Sequence, residues 1–483
     1  MNIRMIAYLT GQMLRVEGLL MLLPLLCSFI YHEDNLVAFI IPIVLLIAIG
    51  TVLTFKIPEK RDIYAKEGFV TVGISWILLS VFGAVPFLIS GSIPHFCDAF
   101  FETVSGFTTT GASILRDVEA LPKSMLFWRS FTHWIGGMGV LVFTLAILPK
   151  SDERSMRLMH VMRAEVPGPV VGKLVSSIKN TARILYGIYI MFTALEILLL
   201  LPKMPLFDAL CTAFGTAGTG GFGIWNDSIA HYNSVYVDAV VSLFLVLFCM
   251  NFNLFYLLLL GQVRPVLRNT ELRWFLGIVT VATLVVAIDI RNLYPGALKP
   301  IRYAFFQIMT IISTAGFSTA NFNDWPVFSR TVLVLLMFIG ACAGSTGGGI
   351  KVGRIVLLFK SFVREMRHML HPRSVNVIRI DGKRVEEETI HGTLSYMVTY
   401  LFIFSATVVA LSAFDNFDMI TNFTAAAACF NNIGPGLELV GPNGNYWLFT
   451  DISKYILSFV MLAGRLELFP LLVLFSPSTW KNH

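Results

Sequence analysis

Apolar residues run through this chain in long blocks rather than at the spacing of a half-buried helix or strand. A helix that crosses a bilayer needs about 20 mostly apolar residues. Ten stretches qualify: 5–30, 36–55, 68–92, 126–148, 182–201, 234–260, 274–293, 327–350, 391–413 and 451–475. Four others, at roughly 97–109, 207–219, 303–315 and 419–432, are too short to cross. Each lies between two long stretches and ends in a glycine-containing turn. Lipid cannot satisfy irregular backbone, so a short helix followed by a turn at membrane depth must be enclosed by protein or line a watery cavity. The pattern predicts four re-entrant hairpins.

The polar positions give those hairpins a side. Segments after alternate long stretches are basic: Lys56, Lys60, Arg61 and Lys66; Lys150, Arg154, Arg157, Arg163, Lys173, Lys179 and Arg183; Arg264, Arg268 and Arg273; and Arg354, Lys360, Arg364, Arg367, Arg373, Arg379, Lys383 and Arg384. The segments between them hold acids, among them Glu33, Asp34, Asp98, Glu102, Asp117, Glu119, Asp208, Asp227, Asp324, Asp415, Asp418 and Glu438. Basic loops stay cytoplasmic, so both termini are expected inside, with the hairpins entering from outside. The first stretch has no small-residue cleavage site and is expected to remain as a span. Composition agrees. Hydrophobic residues make up 56% of the chain and charged residues 14%, against about a quarter charged in soluble domains. The six cysteines are scattered singly and read as packing residues, not as a metal or disulfide set.

Aligned on a glycine, the short stretches form an internal repeat. The first runs from Asp98 to Thr109, Thr110 and Gly111; the second from Asp208 to Thr219, Gly220 and Gly221. The third runs from Tyr303 to Thr314, Ala315 and Gly316; the looser fourth from Asp418 to Asn432, Ile433 and Gly434. Asp98 and Asp208 are placed to cap the short helices, where a carboxylate suits free N–H groups. Each helix then turns its negative end toward the centre, which favours a cation. Glycine permits positive φ, so successive carbonyls can face one way. Four such strands around one axis would make a ring of oxygens able to replace an ion's water shell. The expected fold is an all-α integral membrane protein: four pseudo-repeats of helix, pore loop and helix around a central pore, with two extra N-terminal helices. Its divisions are 1–67, 68–180, 181–270, 271–388 and 389–483.

Two local features break the apolar pattern. Gly344, Gly347, Gly348 and Gly349 interrupt the stretch after the third hairpin. At about 1 kcal/mol each relative to alanine they disfavour a continuous helix, with close helix packing as the alternative. Arg465, inside an apolar span, costs roughly 2.5–3.5 kcal/mol on insertion scales and should face a cavity or a partner; Glu467 is the local candidate. Lys351 reads more simply as a membrane-edge residue. No His-Glu-x-x-His run, nucleophile cluster or paired intramembrane carboxylate points to an enzyme. His133 beside Trp134 is the best chemical candidate, and helix packing explains it as well. No phosphate-binding glycine motif predicts a bound nucleotide. A secondary transporter coupled to protons or sodium is the alternative function, although Glu196 and Asp289 are the only carboxylates to offer it, both near span edges.

Ser105–Ser113, Trp134–Gly139, Gly340–Lys351, Asn431–Gly436 and Gly464–Glu467 resemble the Trk/Ktr/HKT superfamily of cation transporters. The likeness covers essentially the whole chain, and the extra N-terminal pair suits its Trk branch. The resemblance implies potassium uptake across a bacterial cytoplasmic membrane, with glycine at all four filter positions going with potassium. It implies a gate below the filter, formed by Gly344, Ser345, Thr346, Gly347, Gly348, Gly349 and Lys351 with Arg465 close by. It further implies a homodimer and a TrkA-like cytoplasmic ring that binds nucleotide, with no cofactor on this chain and no nucleic-acid partner.

Overall fold

The computed structural model describes residues 1–56, 58, 64–139, 178–374 and 376–481. Lys60, Arg61, Lys150, Arg154, Arg157, Arg163 and Lys173, with the last part of the 126–148 stretch, lie outside them. An N-terminal hairpin comes first, from Ile3–Leu20 continued by Leu22–Ile30, and then Leu36–Thr54. Its helices touch through small residues: a methyl on Gly50 would sit 2.7 Å from Gly11 O. Such close approach is how helices associate where lipid removes the hydrophobic drive.

Four units follow, each an outer helix, a short helix and an inner helix. The outer helices are Ala65–Ile89, Ile178–Leu200, Thr270–Asp289 and Glu387–Phe414. The short helices are Phe96–Phe107, Leu206–Gly218, Leu298–Ile312 and Met419–Phe430. The inner helices begin at Lys123, Val235, Val327 and Asp451. Each inner helix packs on the short helix of its own unit and on that of the next, and the fourth returns to the first short helix. Four units joined head to tail in a closed circuit share one central axis.

A basic side chain straps each of the four seams. Arg129 donates to Gly223 O at 2.8 Å, from unit one to unit two. Asp238 pairs with Arg302 at 2.6 Å, Arg330 with Glu438 at 2.9 Å, and Lys454 with Asp98 at 2.6 Å. Carboxylates from preceding loops or helix ends also hold inner-helix N-termini. Glu33 accepts from Lys123 N, Asp289 from Ser329 N, and Asp415 from Thr450 N.

Ten spans were expected, the eighth with a break at its glycines, but six helices among the described residues are long and apolar enough to cross alone. They are the N-terminal pair and the four outer helices. Three of the inner helices break instead. The second bends by 92° between Cys249 and Phe252, the third stops at Gly340 (φ 73°), and the fourth stops at Arg465 and resumes at Phe469. Hydropathy counts apolar residues and does not register these turns, whose peptide groups find partners inside the protein. A two-stranded hairpin, Arg379–Ile380 with Lys383–Arg384, was also missed. Its Asp381-Gly382 turn has both residues at positive φ, a standard hairpin signal.

Candidate functional site

The four glycine turns meet at the axis. Every short helix ends in the same way. The residue two before each glycine is left-handed: Thr109 at φ 55°, Thr219 at 53°, Thr314 at 61° and Asn432 at 57°. The next N–H reaches back to the carbonyl five residues earlier, as in Thr110 to Ser105, Gly220 to Gly215, Ala315 to Thr310 and Ile433 to Ala428. This Schellman-type closure normally uses glycine. Three threonines and an asparagine hold it here at about 1–3 kcal/mol each, strain of the kind that collects at functional sites.

The glycines themselves have φ of 79° (Gly111), 74° (Gly221), 75° (Gly316) and 93° (Gly434). Space excludes a side chain as firmly as conformation does. A methyl on Gly111 would lie 2.0 Å from Gly220 O, on Gly221 1.7 Å from Ala315 O, on Gly316 2.1 Å from Ile433 O, and on Gly434 2.7 Å from Thr110 O. The carbonyl before each glycine is thus set against the glycine of a neighbouring unit, around a closed four-member ring.

Side chains behind the ring hold it in place. Asn432 Nδ2 donates to Thr110 Oγ1 at 2.9 Å and Tyr446 Oη to Gly434 O at 2.8 Å. His133 Nδ1 donates to Gly106 O at 2.7 Å while Nε2 accepts from Phe222 N at 3.2 Å. One neutral tautomer satisfies both bonds, so His133 is a structural residue between units one and two. Sequence reasoning missed the buried pair Glu102–Arg129 (2.6 Å). Glu102 also accepts from Ile114 N at 2.9 Å, and the Arg129 guanidinium lies 3.6 Å from the Phe222 ring centre. The signal was available: an arginine in the 126–148 stretch carries the same cost that singled out Arg465.

Asp98 and Asp208 do not cap. The helices start earlier, after His95 and Pro205, so both acids sit in the first turn. Asp98 is taken by Lys454, and Asp208 accepts from Tyr232 Oη at 2.8 Å. Asp418 is the acid that caps, accepting from Thr421 N at 3.0 Å. Exposed acids Asp117, Glu119, Asp227, Asp324 and Glu438 line the loops after the turns. The Asn226 side-chain amide, 2.8 Å away, holds the Asp117 carboxyl below its ordinary pKa.

On the far side of the ring, residues 340–351 leave the helix and touch units two, three and four, with Arg465 carrying the link to unit one. Gly348 N donates to Thr314 Oγ1 at 2.7 Å, and a methyl on Gly348 would lie 2.5 Å from Asn431 O. Thr346 N donates to Phe248 O at 3.3 Å, and Gly344 O accepts from Phe252 N at 3.0 Å at the bend of inner helix two. Ser345 Oγ donates to Cys342 O, and Gly349 packs against Gly340. Arg465 donates to Thr346 O at 2.7 Å and to Gly136 O and Gly137 O at 2.6 and 2.8 Å. It thereby joins the loop to inner helix one. Glu467 pairs with Arg354 instead. Lys351 is buried, its ammonium turned back onto Gly347 O, and is not a membrane-edge residue. Glu271, also missed, accepts from Ala343 N and Gly353 N, both at 2.8 Å, pinning the two ends of the loop.

Fold and site together define a multi-pass membrane protein of the four-repeat class, built around one axial ring of peptide oxygens. The chain belongs to the TrkH family of cation transport proteins, whose profile matches residues 35–482. It is 37% identical over 492 residues to the Trk system potassium uptake protein TrkH of Salmonella typhimurium, with 100% of both chains covered. The protein of the same description from Escherichia coli K12 matches at the same identity and coverage. The crystal structure of the potassium transporter TrkH from Vibrio parahaemolyticus superposes with a TM-score of 0.89 at 32% identity, again over 100% of both chains.

Proposed function

We propose that this chain is the membrane subunit of a potassium uptake system, passing the ion through its four-glycine ring. One observation carries the reading. The carbonyls of Thr110, Gly220, Ala315 and Ile433 each abut the glycine of a neighbouring unit, around a complete circuit. Such a ring can replace a hydration shell. The short helices aim their negative ends at it, and the acidic mouth loops attract cations. A membrane potential supplies about 2.3 kcal/mol per charge per 100 mV, enough by itself for roughly fiftyfold accumulation. Potassium is substrate here, and the chain carries no cofactor of its own.

The loop from Gly340 to Lys351 acts as the gate. A segment held by units two, three and four just beyond the ring, and tied to unit one through Arg465, crosses the axis, and its glycines let it lie close to the backbone of Ser313 and Asn431. Arg465 is its latch. Both termini face the cytoplasm, as the basic loops require, and the chain works as a homodimer with a TrkA-like nucleotide-binding subunit docked on those loops. The family likeness supports these assignments. Rubidium uptake into proteoliposomes, with sodium as competitor, tests the conduction reading. Gly316→Ser, whose side chain must push the Ile433 carbonyl aside, should flatten the preference for rubidium over sodium in protein shown to be folded by its elution profile. An unchanged preference removes the ring from ion selection.

A further inference from the structure

Outer helix three and inner helix three diverge to leave a groove of 830 Å³ on the surface of the protein. Arg273, Trp274, Gly277, Val281, Val332 and Leu335 line it. The walls are apolar along most of the length, as lipid chains require. The end near the start of the outer helix is different. The Arg273 side chain is exposed and makes no ion pair or hydrogen bond among the described residues. Arg264 and Arg268, also exposed, add positive charge in the segment just before. Trp274, 41% exposed beside Arg273, is the residue type that sits at headgroup level. Gly277 keeps the middle of the groove open, since a methyl there would meet nothing within 4 Å.

We infer that this groove is a binding site for one anionic phospholipid, its phosphate at Arg273 and an acyl chain laid along Gly277, Val281 and Leu335. An unpaired cation at the mouth of an apolar slot matches the charge and length of that ligand, and basic residues at a membrane edge attract anionic headgroups. A second copy of this chain is the competing occupant, and the experiment below separates the two. The site adjoins the gate loop's anchor, because Glu271 lies between Thr270 and Arg273 on the same first turn. The assignment requires only that the outer helix spans the bilayer, and it holds whichever ion the ring passes.

Trp274 is the reporter. Full-length protein is reconstituted with phosphatidylglycerol or phosphatidylcholine brominated on the acyl chains, and the Trp274 signal is isolated by subtracting Trp274→Phe. Brominated phosphatidylglycerol should quench it at several-fold lower mole fraction than phosphatidylcholine. Arg273→Gln should bring the two lipids level, and Gly277→Phe, which fills open space, should abolish quenching by both. Equal quenching of the wild type by both lipids overturns the proposal, as does a preference that survives Arg273→Gln. If Gly277→Phe leaves quenching intact and instead dissociates the oligomer, the groove is a contact between copies and the lipid assignment fails. Elution profile and helical content show that each variant is folded, and rubidium uptake is not among the readouts.

Discussion

Removing the Arg465 guanidinium should open the path. Its bond to Thr346 O spans loop and wall, whereas its bonds to Gly136 O and Gly137 O anchor it to inner helix one. Only the first must break when the loop swings clear. A hydrogen bond from a charged group contributes about 1.5–3 kcal/mol, and Arg465→Ala withdraws that amount from the closed arrangement. At 1.4 kcal/mol per decade the open-to-closed ratio should rise roughly 10- to 100-fold. Rubidium flux and single-channel open probability in bilayers without a regulatory subunit measure the change. The ratio of potassium to sodium should stay put, because the ring of Thr110, Gly220, Ala315 and Ile433 carbonyls is untouched. Arg465→Lys, with one ammonium for three carbonyls, should fall between the two. Thr346→Ala is the control: it deletes the hydroxyl bond to Phe248 O (3.2 Å) but keeps the carbonyl that Arg465 holds. Unchanged or reduced open probability in folded Arg465→Ala protein refutes the latch.

Glu102→Gln strips the counter-charge from buried Arg129 and should cost about 3–5 kcal/mol, read as a lowered thermal unfolding temperature in detergent. The double change Glu102→Gln with Arg129→Met should recover part of the loss, and a silent single variant would show that Arg129 does not depend on Glu102 as its counter-charge. Glu271→Leu leaves the buried Ala343 amide and the half-buried Gly353 amide without an acceptor, at about 1–3 kcal/mol for the buried one. Hydrogen exchange at Ala343 and Gly353 should accelerate while exchange near Gly111 stays slow, and uniform acceleration would count against a local anchor. Lys454→Met should destabilise through the uncompensated Asp98 carboxylate, and adding Asp98→Asn should restore stability. A second change that deepens the loss would mean the pair does not bridge the fourth and first units.

Much of the site was visible in the order of residues. Gly111, Gly221, Gly316 and Gly434 stood out because a turn at membrane depth needs positive φ, and that need is local. The glycine-rich break at 344–349 was visible for the same reason. The capping role expected of Asp98 and Asp208 was a local inference that failed: the helices begin upstream, and Lys454 and Tyr232 claim the two carboxylates. Arg465 was flagged by its cost in an apolar span and placed beside the glycine-rich loop by resemblance; the alternative, a local pair with Glu467, fails because Glu467 holds Arg354. Lys351 looked like an edge residue because its position in sequence says nothing about the direction in which its chain folds back.

The amino-acid order by itself determined the solvent, the number of repeats and the four places where the backbone must turn. Each depends on a short window of residues and on what lipid will tolerate. Tertiary structure alone decided which carbonyl abuts which glycine, which acid neutralises which base, and that the second and fourth inner helices break where the outer ones run through. Those contacts join residues hundreds of positions apart, such as Asn432 with Thr110 and Arg465 with Gly136. They exist only once the fourth inner helix has closed back onto the first short helix and made a row of units into a ring.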